Sequence, residues 1–369
     1  MQTYYPGTDP HIRIYGRTNR SNPLPLYWAA SGIEFCTDAS DCVLELDADY
    51  TALEQWIRVE VNDYQVIRMP LNRGINRITL FQGMQASGKK NVHLYKEVQP
   101  MGQESTNCLF VNKVECNGSL FELPPHSCRI EFVGDSITSG EGLAGNDRMQ
   151  DWIASVFSNA GHYALETAKE LNADFRLISQ SGWGTYCSWD NQPHNTLPAI
   201  YDEVCSVYTE GRNADAGCLE QADFDKWQPD IVVINLGTND EGAFHNAPWT
   251  DPETGITYAQ KLLEDGSFEE QSLARFTQAM YDFLVTLRER NPQAQLLWVY
   301  GMIGDALRPH MEQTIEKYRK ETGDQRVRFQ ALPDTKPEWI GARMHPGVLS
   351  HHATAQVLVQ TIRELTHLS

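Results

Sequence analysis

Positive charge is scarce in this 369-residue chain: Lys and Arg total 30 against 49 Asp and Glu, a formal net charge of −19. Such a field repels nucleic-acid phosphates and anionic membrane surfaces, and suits a neutral or cationic ligand. An acidic surface also serves solubility, so the charge excludes nucleic acid and assigns nothing further. Long apolar runs are missing too. No window approaches the roughly 18 residues of a membrane span, so no membrane role is expected, and the opening Met1-Gln2-Thr3-Tyr4-Tyr5-Pro6-Gly7 is polar and turn-rich, unlike a charged-then-apolar leader. The eight cysteines (36, 42, 108, 116, 128, 187, 205 and 218) form no Cys-x-x-Cys and no zinc-ligand spacing. In a chain without a leader they read as free thiols, which gives a cytoplasmic expectation; bridges between Cys36 and Cys42 or Cys108 and Cys116 would need export. No His-Glu-x-x-His is present, so a zinc hydrolase has no support, and Thr138 stands where Gly-x-Ser-x-Gly needs its last glycine. Gly140-x-Gly142-x-x-Gly145 matches the dinucleotide fingerprint in letters, but it starts seven residues beyond Val133. That fingerprint needs its first glycine in the turn directly after the strand, so nucleotide binding is set aside.

What is present divides at Pro124-Pro125, a short stiff joint. Residues 1 to about 124 alternate apolar and polar positions over Cys42–Asp47 and Trp56–Val61. Shorter runs follow at Arg77–Phe81, Asn91–Tyr95 and Leu109–Val111, punctuated by turns at Asn62-Asp63, Asn72-Arg73-Gly74 and Ser87-Gly88. This period of two predicts an antiparallel β-sandwich. From Cys128 to the end, apolar strands (129–133, 175–179, 231–236, 295–300, 327–332) alternate with amphipathic helices (160–171, 269–290, 309–322, 353–366). That pattern predicts an α/β domain: a parallel five-stranded sheet covered on both faces. The segment from Tyr186 to Trp227 is expected to be irregular. Its aromatic residues either wall a site or pack a surface excursion.

Chemistry-bearing residues fall where these strands end. Gly134-Asp135-Ser136 follows the first strand, and Ser181-Gly182-Trp183-Gly184 the second. Gly237-Thr238-Asn239-Asp240 follows the third, and His345-Pro346 precedes the last helix. Open α/β sheets collect their ligands at the carboxyl ends of the strands. A hydroxyl nucleophile needs a base to take its proton and donors for the oxyanion it creates. Ser136, His345, the Gly182 backbone and the Asn239 amide would supply those parts. His351 and His352, at the start of the last helix, are expected to be solvated. Trp183, Trp189 and Trp249 lie in loops on the same side and could stack on sugar rings. Packing is the competing explanation for each.

These four blocks resemble those of the SGNH (GDSL-type) hydrolases, and the sandwich in front makes the layout most similar to the family 2 carbohydrate esterases. The block pattern covers about 128–369, whereas over 1–124 the similarity is one of layout. The resemblance implies a flavodoxin-like three-layer hydrolase domain behind a jelly-roll-like sandwich of carbohydrate-binding type. It implies Ser136 as nucleophile and His345 as general base and acid. The Ser136 and Gly182 N–H groups and the Asn239 amide become the oxyanion hole, and no metal or organic cofactor is called for. Trp183 and Trp189 become substrate-binding candidates. The implied activity is removal of O-acetyl groups from xylo- or manno-oligosaccharides. Alternatives are a lipase or thioesterase on longer acyl chains, a non-catalytic sugar-binding protein, or an acetyltransferase; protein partners are not legible. In one respect the chain departs from the pattern: Ala342 stands where an aspartate is usual, three residues before the histidine. A main-chain carbonyl, that of Arg343, is expected to orient the ring instead, with Asp305 and Glu338 as rivals.

Overall fold

The structure, a computed structural model, describes residues 1–85 and 88–366; Ser87 of the expected Ser87-Gly88 turn lies outside them. Two compact units emerge.

The first unit is the sandwich. One sheet orders Gln2–Tyr4, Cys108–Cys116, Cys42–Asp49 and Gly74–Phe81, with Leu24–Pro25 also on Cys108–Cys116. The other orders Leu120–Phe121, Gly32–Thr37, Lys90–Lys96, Trp56–Val61 and Tyr64–Pro70, with Arg13–Tyr15 on Gly32–Thr37. Neighbouring strands in both sheets pair antiparallel, for example Val111 opposite Leu46. Along Cys42–Asp49 burial alternates strictly, so Cys42, Leu44, Leu46 and Ala48 enter the core. Side chains alternate faces along a strand, which is why the period of two was readable. Phe35, Ile57, Val59, Leu94 and Leu109 fill the same core. The unit also gathers in 151–159 and 202–222. Arg68 Nη2 donates to the Ser155 and Phe157 carbonyls, and the Trp28 indole donates to the Val204 carbonyl at 2.8 Å.

The second unit holds a parallel sheet of five strands: β1 (Cys128–Gly134), β2 (Ala173–Ser179), β3 (Ile231–Asn235), β4 (Gln295–Tyr300) and β5 (Val327–Ala331). Their order is β2-β1-β3-β4-β5, the flavodoxin-like order that resemblance to the SGNH hydrolases implied. All five residues of β3 are buried, as a strand covered on both faces requires. The helices that matter here are α1 (Ser136–Ser139), α2 (Tyr163–Glu170), α3 (Thr238–Ala243), α4 (Glu270–Arg290), α5 (Arg308–Thr322) and α6 (Val348–Thr366). On α4 the buried face is Phe276, Met280, Phe283, Leu284 and Leu287, a spacing of three and four. Glu270 in its first turn and Arg288 and Arg290 in its last oppose the helix dipole. Strand order reverses direction between β1 and β3, and a crevice outside the carboxyl ends of the strands is the usual ligand position there. Ser136 follows β1, Gly182 follows β2 and Asn239 follows β3.

Candidate active site

The β1 strand stops at Gly134, and Asp135 caps the four-residue helix α1 by accepting from the Ile137 N–H at 3.0 Å. That cap sets Ser136 at the first helical position. The helix ends at Gly140 in the left-handed region, and the chain turns back so that the Glu141 N–H reaches the Ser136 carbonyl at 3.0 Å.

His345 arrives from the other end of the sequence, between β5 and α6. Its Nε2 is 2.8 Å from Ser136 Oγ. Its Nδ1 is 2.8 Å from the Arg343 carbonyl, the orienting group expected from sequence. An Nδ1–H donating to that carbonyl leaves Nε2 as the acceptor for the serine proton. Asp305 and Glu338, the rival carboxylates, are both exposed. The carbonyl reaches the ring because Arg343 and Met344 are both left-handed, each with φ near 57°. Left-handed backbone at a non-glycine residue costs of order 1–3 kcal/mol, so something must hold this turn in place.

The holding contacts are visible. Arg343 N–H donates to the Met149 carbonyl at 2.8 Å, and Ala342 N–H to the Gly142 carbonyl at 2.9 Å. Gly142, with φ +85°, has no room for a side chain: a Cβ would stand 2.5 Å from the Ala342 oxygen and 2.6 Å from His345 Cβ. The turn after the nucleophile and the turn bearing the base are thus pressed together, backbone on backbone. This is the part the glycines of 140–145 play, in place of a phosphate cradle.

Gly182 also has a positive φ, +81°, and a Cβ there would come 3.1 Å from Trp189 Cδ1. The Trp189 N–H closes the loop by donating to the Gly182 carbonyl at 3.1 Å. Trp189 is 51% exposed, and the edge of its indole stands over Gly182. Trp183 is only partly exposed, and its carbonyl accepts from Asn239 Nδ2 at 2.9 Å. The second Asn239 hydrogen goes to Asp135 Oδ2 at 3.2 Å. Trp249 packs against Tyr258, ring centres 5.9 Å apart, and against His194.

Two buried aspartates underlie the site. Burial pushes Asp135 up to about 7. Asp240 accepts from the Thr185, Tyr186 and Cys187 N–H groups, which pins the loop after β2 onto α3. Even with those three donors, burial pushes it up to about 6.

The structure therefore brings Ser136, His345, Gly182, Asn239 and Trp189 into one neighbourhood. One expectation is overturned. His351 is fully buried, not solvated, with Nδ1 accepting from the Tyr163 N–H at 3.2 Å. It lies on the face of α6 that packs against α2, where a helix must bury one side. His352, one residue on, is exposed and pairs with Glu166 at 3.0 Å.

One residue that sequence reasoning missed is Glu141. It is 2% exposed, 2.8 Å from Arg343 Nε and 4.0 Å from His345 Nδ1. The available signal was an acidic residue set between two glycines immediately after the nucleophile's helix. Among the described residues no group of three or more His, Cys, Asp or Glu is placed to hold a metal ion. What the arrangement can do is move a proton between Ser136 Oγ and His345 Nε2.

Comparison with known proteins bears on which ester is meant. The pattern of the GDSL-like lipase/acylhydrolase family matches residues 132–351. The solved structure of an acetyl xylan esterase, Est2A, from the rumen bacterium Butyrivibrio proteoclasticus is 37% identical. Its match covers 98% of both chains with a TM-score of 0.96. An acetylxylan esterase/glucomannan deacetylase of Cellvibrio japonicus is 25% identical over 367 residues, 97% of this chain and 88% of that one. A family two carbohydrate esterase from Clostridium thermocellum, solved with cellohexaose, shares the fold at 22% identity and a TM-score of 0.79, covering 97% of this chain and 100% of that one.

Proposed function

The chain belongs to the GDSL-like lipase/acylhydrolase family, and from that premise we propose that it is a serine esterase removing O-acetyl groups from carbohydrates, with xylo- or manno-oligosaccharides as the substrate class. The observation that carries the chemistry is the 2.8 Å contact between Ser136 Oγ and His345 Nε2, with Nδ1 committed to the Arg343 carbonyl. The relatives acting on acetylated xylan and glucomannan support the substrate class.

In this reading Ser136 Oγ attacks the acetyl carbonyl as His345 Nε2 takes its proton. The carbonyl oxygen becomes an oxyanion facing the N–H groups of Ser136 and Gly182 and the Asn239 amide, which supply the electrostatic stabilisation. His345 returns the proton to the sugar oxygen as the C–O bond breaks. A water molecule, deprotonated by His345, then attacks the acetyl-enzyme, and Ser136 recovers its proton as acetate leaves. Trp189, half exposed beside Gly182, offers the sugar ring a stacking surface.

Acetate release from acetylated xylo- and manno-oligosaccharides, wild type beside Ser136→Ala, tests the proposal. The expected result is release by the wild type and none by the variant. Release by both would remove Ser136 from the reaction. A preference for octanoyl over acetyl p-nitrophenyl esters would move the assignment to longer acyl chains. No turnover together with no labelling of Ser136 by a fluorophosphonate would favour a sugar-binding protein. Transfer of the acetyl group to an added free sugar would favour an acetyltransferase.

A further inference from the structure

We infer that Glu141 is a positioning residue for His345, acting through Arg343 and supplying from the nucleophile's side of the site the carboxylate that position 342 lacks. The inference rests on the serine-esterase reading above. Ala342 is fully buried and brings no carboxylate to the ring. The nearby carboxylate comes instead from the turn after α1. Glu141 is 2% exposed, and its Oε1 lies 2.8 Å from Arg343 Nε. The same oxygen is 4.0 Å from His345 Nδ1.

Two effects follow from that placement. The first is geometric. Arg343 is held at three points: its Nε on Glu141, its Nη1 on the Gln150 carbonyl at 3.0 Å, and its backbone N–H on the Met149 carbonyl at 2.8 Å. Those anchors keep a left-handed residue, φ 57°, in the one conformation that aims its carbonyl at Nδ1. The second effect is electrostatic. When His345 takes the serine proton it becomes a cation with a guanidinium close by. The Glu141 charge offsets that guanidinium and faces the imidazolium across a mostly buried gap, where charges are weakly screened.

Opposite signs for the two partners provide the test. Glu141→Gln keeps the shape and removes the charge. It is expected to lower kcat on p-nitrophenyl acetate about 10- to 100-fold with KM nearly unchanged. That is well short of the ~10⁴ lost when an orienting group goes altogether, because the carbonyl remains. The acid limb of the kcat/KM profile, which reports the essential base of the free enzyme, moves to lower pH. Arg343→Gln leaves Glu141 facing His345 alone, so its acid limb moves to higher pH. Glu141→Asp, with the charge kept but withdrawn, falls between wild type and Glu141→Gln. It carries the test if Glu141→Gln does not fold.

Variants whose kcat and acid limb match the wild type would overturn the inference. So would variants that lose thermal stability with no movement of the limb, since that describes a structural brace. A wild type that fails to cleave p-nitrophenyl acetate, or a Ser136→Ala as active as the wild type, defeats the esterase reading instead. The two failures are therefore distinct.

Discussion

Asn239 is tied to Asp135: its amide nitrogen lies 3.2 Å from Asp135 Oδ2 and 2.9 Å from the Trp183 carbonyl. Both hydrogens are therefore engaged, one firmly and one loosely. In the proposed reaction the longer bond, to Asp135, is the one that would give way to the oxyanion. Asn239→Ala is expected to lower kcat by about 10²–10³ with a smaller effect on KM, the magnitude of losing one preorganised donor. Asn239→Asp presents an acceptor where the donor stood and should fall at least as far. Steady-state kinetics on p-nitrophenyl acetate decide it; a kcat near wild type would take Asn239 out of the oxyanion hole.

The buried carboxyl of Asp135 gives stability a definite pH dependence. Its ordinary value is 3.8 and burial raises it to about 7. Between those values the folded chain keeps a proton that the unfolded chain has released. The stabilisation is thus complete below pH 4 and disappears as pH rises through about 7. At 1.36 kcal/mol per pH unit the whole effect is about 4 kcal/mol as an upper limit. Asp240, raised to about 6, acts in the same direction. Asp135→Asn keeps an acceptor for the Ile137 N–H and has no proton to lose. Its Tm should fall less than that of the wild type between pH 5 and pH 8, by differential scanning calorimetry. An unchanged slope would mean that Asp135 is ionised throughout.

Gly142→Ala should damage both stability and turnover. The added methyl meets the Ala342 oxygen at 2.5 Å and His345 Cβ at 2.6 Å, and the residue holds φ +85°. Neither neighbour is the far end of a flexible side chain, so the two turns must part and Oγ must leave Nε2. Gly266, at φ +82° with nothing near its missing side chain, is the control. Gly266→Ala carries the backbone strain alone, about 1–2 kcal/mol, and should leave kcat intact. Equal kcat values for the two variants would show that the packing of Gly142 does not set the dyad geometry.

Trp189→Ala should separate sugar recognition from chemistry. With half its surface exposed beside Gly182, the indole is the stacking surface proposed for the sugar ring. KM for acetylated oligosaccharides is expected to rise about 3- to 10-fold, while KM for p-nitrophenyl acetate, which has no sugar ring, stays put. A parallel rise for both substrates would place Trp189 in the support of the Gly182 loop instead.

The sheet was readable because its first four strands are short, largely apolar runs closed by glycine-containing turns, and three of those turns carry Ser136, Gly182 and Asn239. Ser136, Gly182, Asn239 and His345 follow from that regularity and from their order along the chain. Residues whose meaning depends on a partner distant in sequence were less legible. Glu141 looks like any acid in a turn until Arg343, 202 positions later, is seen to take its charge. His351 and His352 are identical letters side by side, yet a helix turns 100° per residue, so one is buried and the other is solvated. The segments 151–159 and 202–222 carry no period that reveals their attachment to the sandwich unit. Of the two tryptophans, Trp183 contributes a carbonyl to Asn239 and Trp189 the exposed ring, a division set by loop geometry and not by neighbouring letters.

Because its sheet is parallel, every crossover in the second unit must be in place before the serine from the first strand and the histidine beyond the fifth can share a proton. Catalysis is for that reason an assay of completeness. A refolding chain should recover its helical signal early and its turnover only in the slowest phase, and a chain clipped before its final helix should have none to recover.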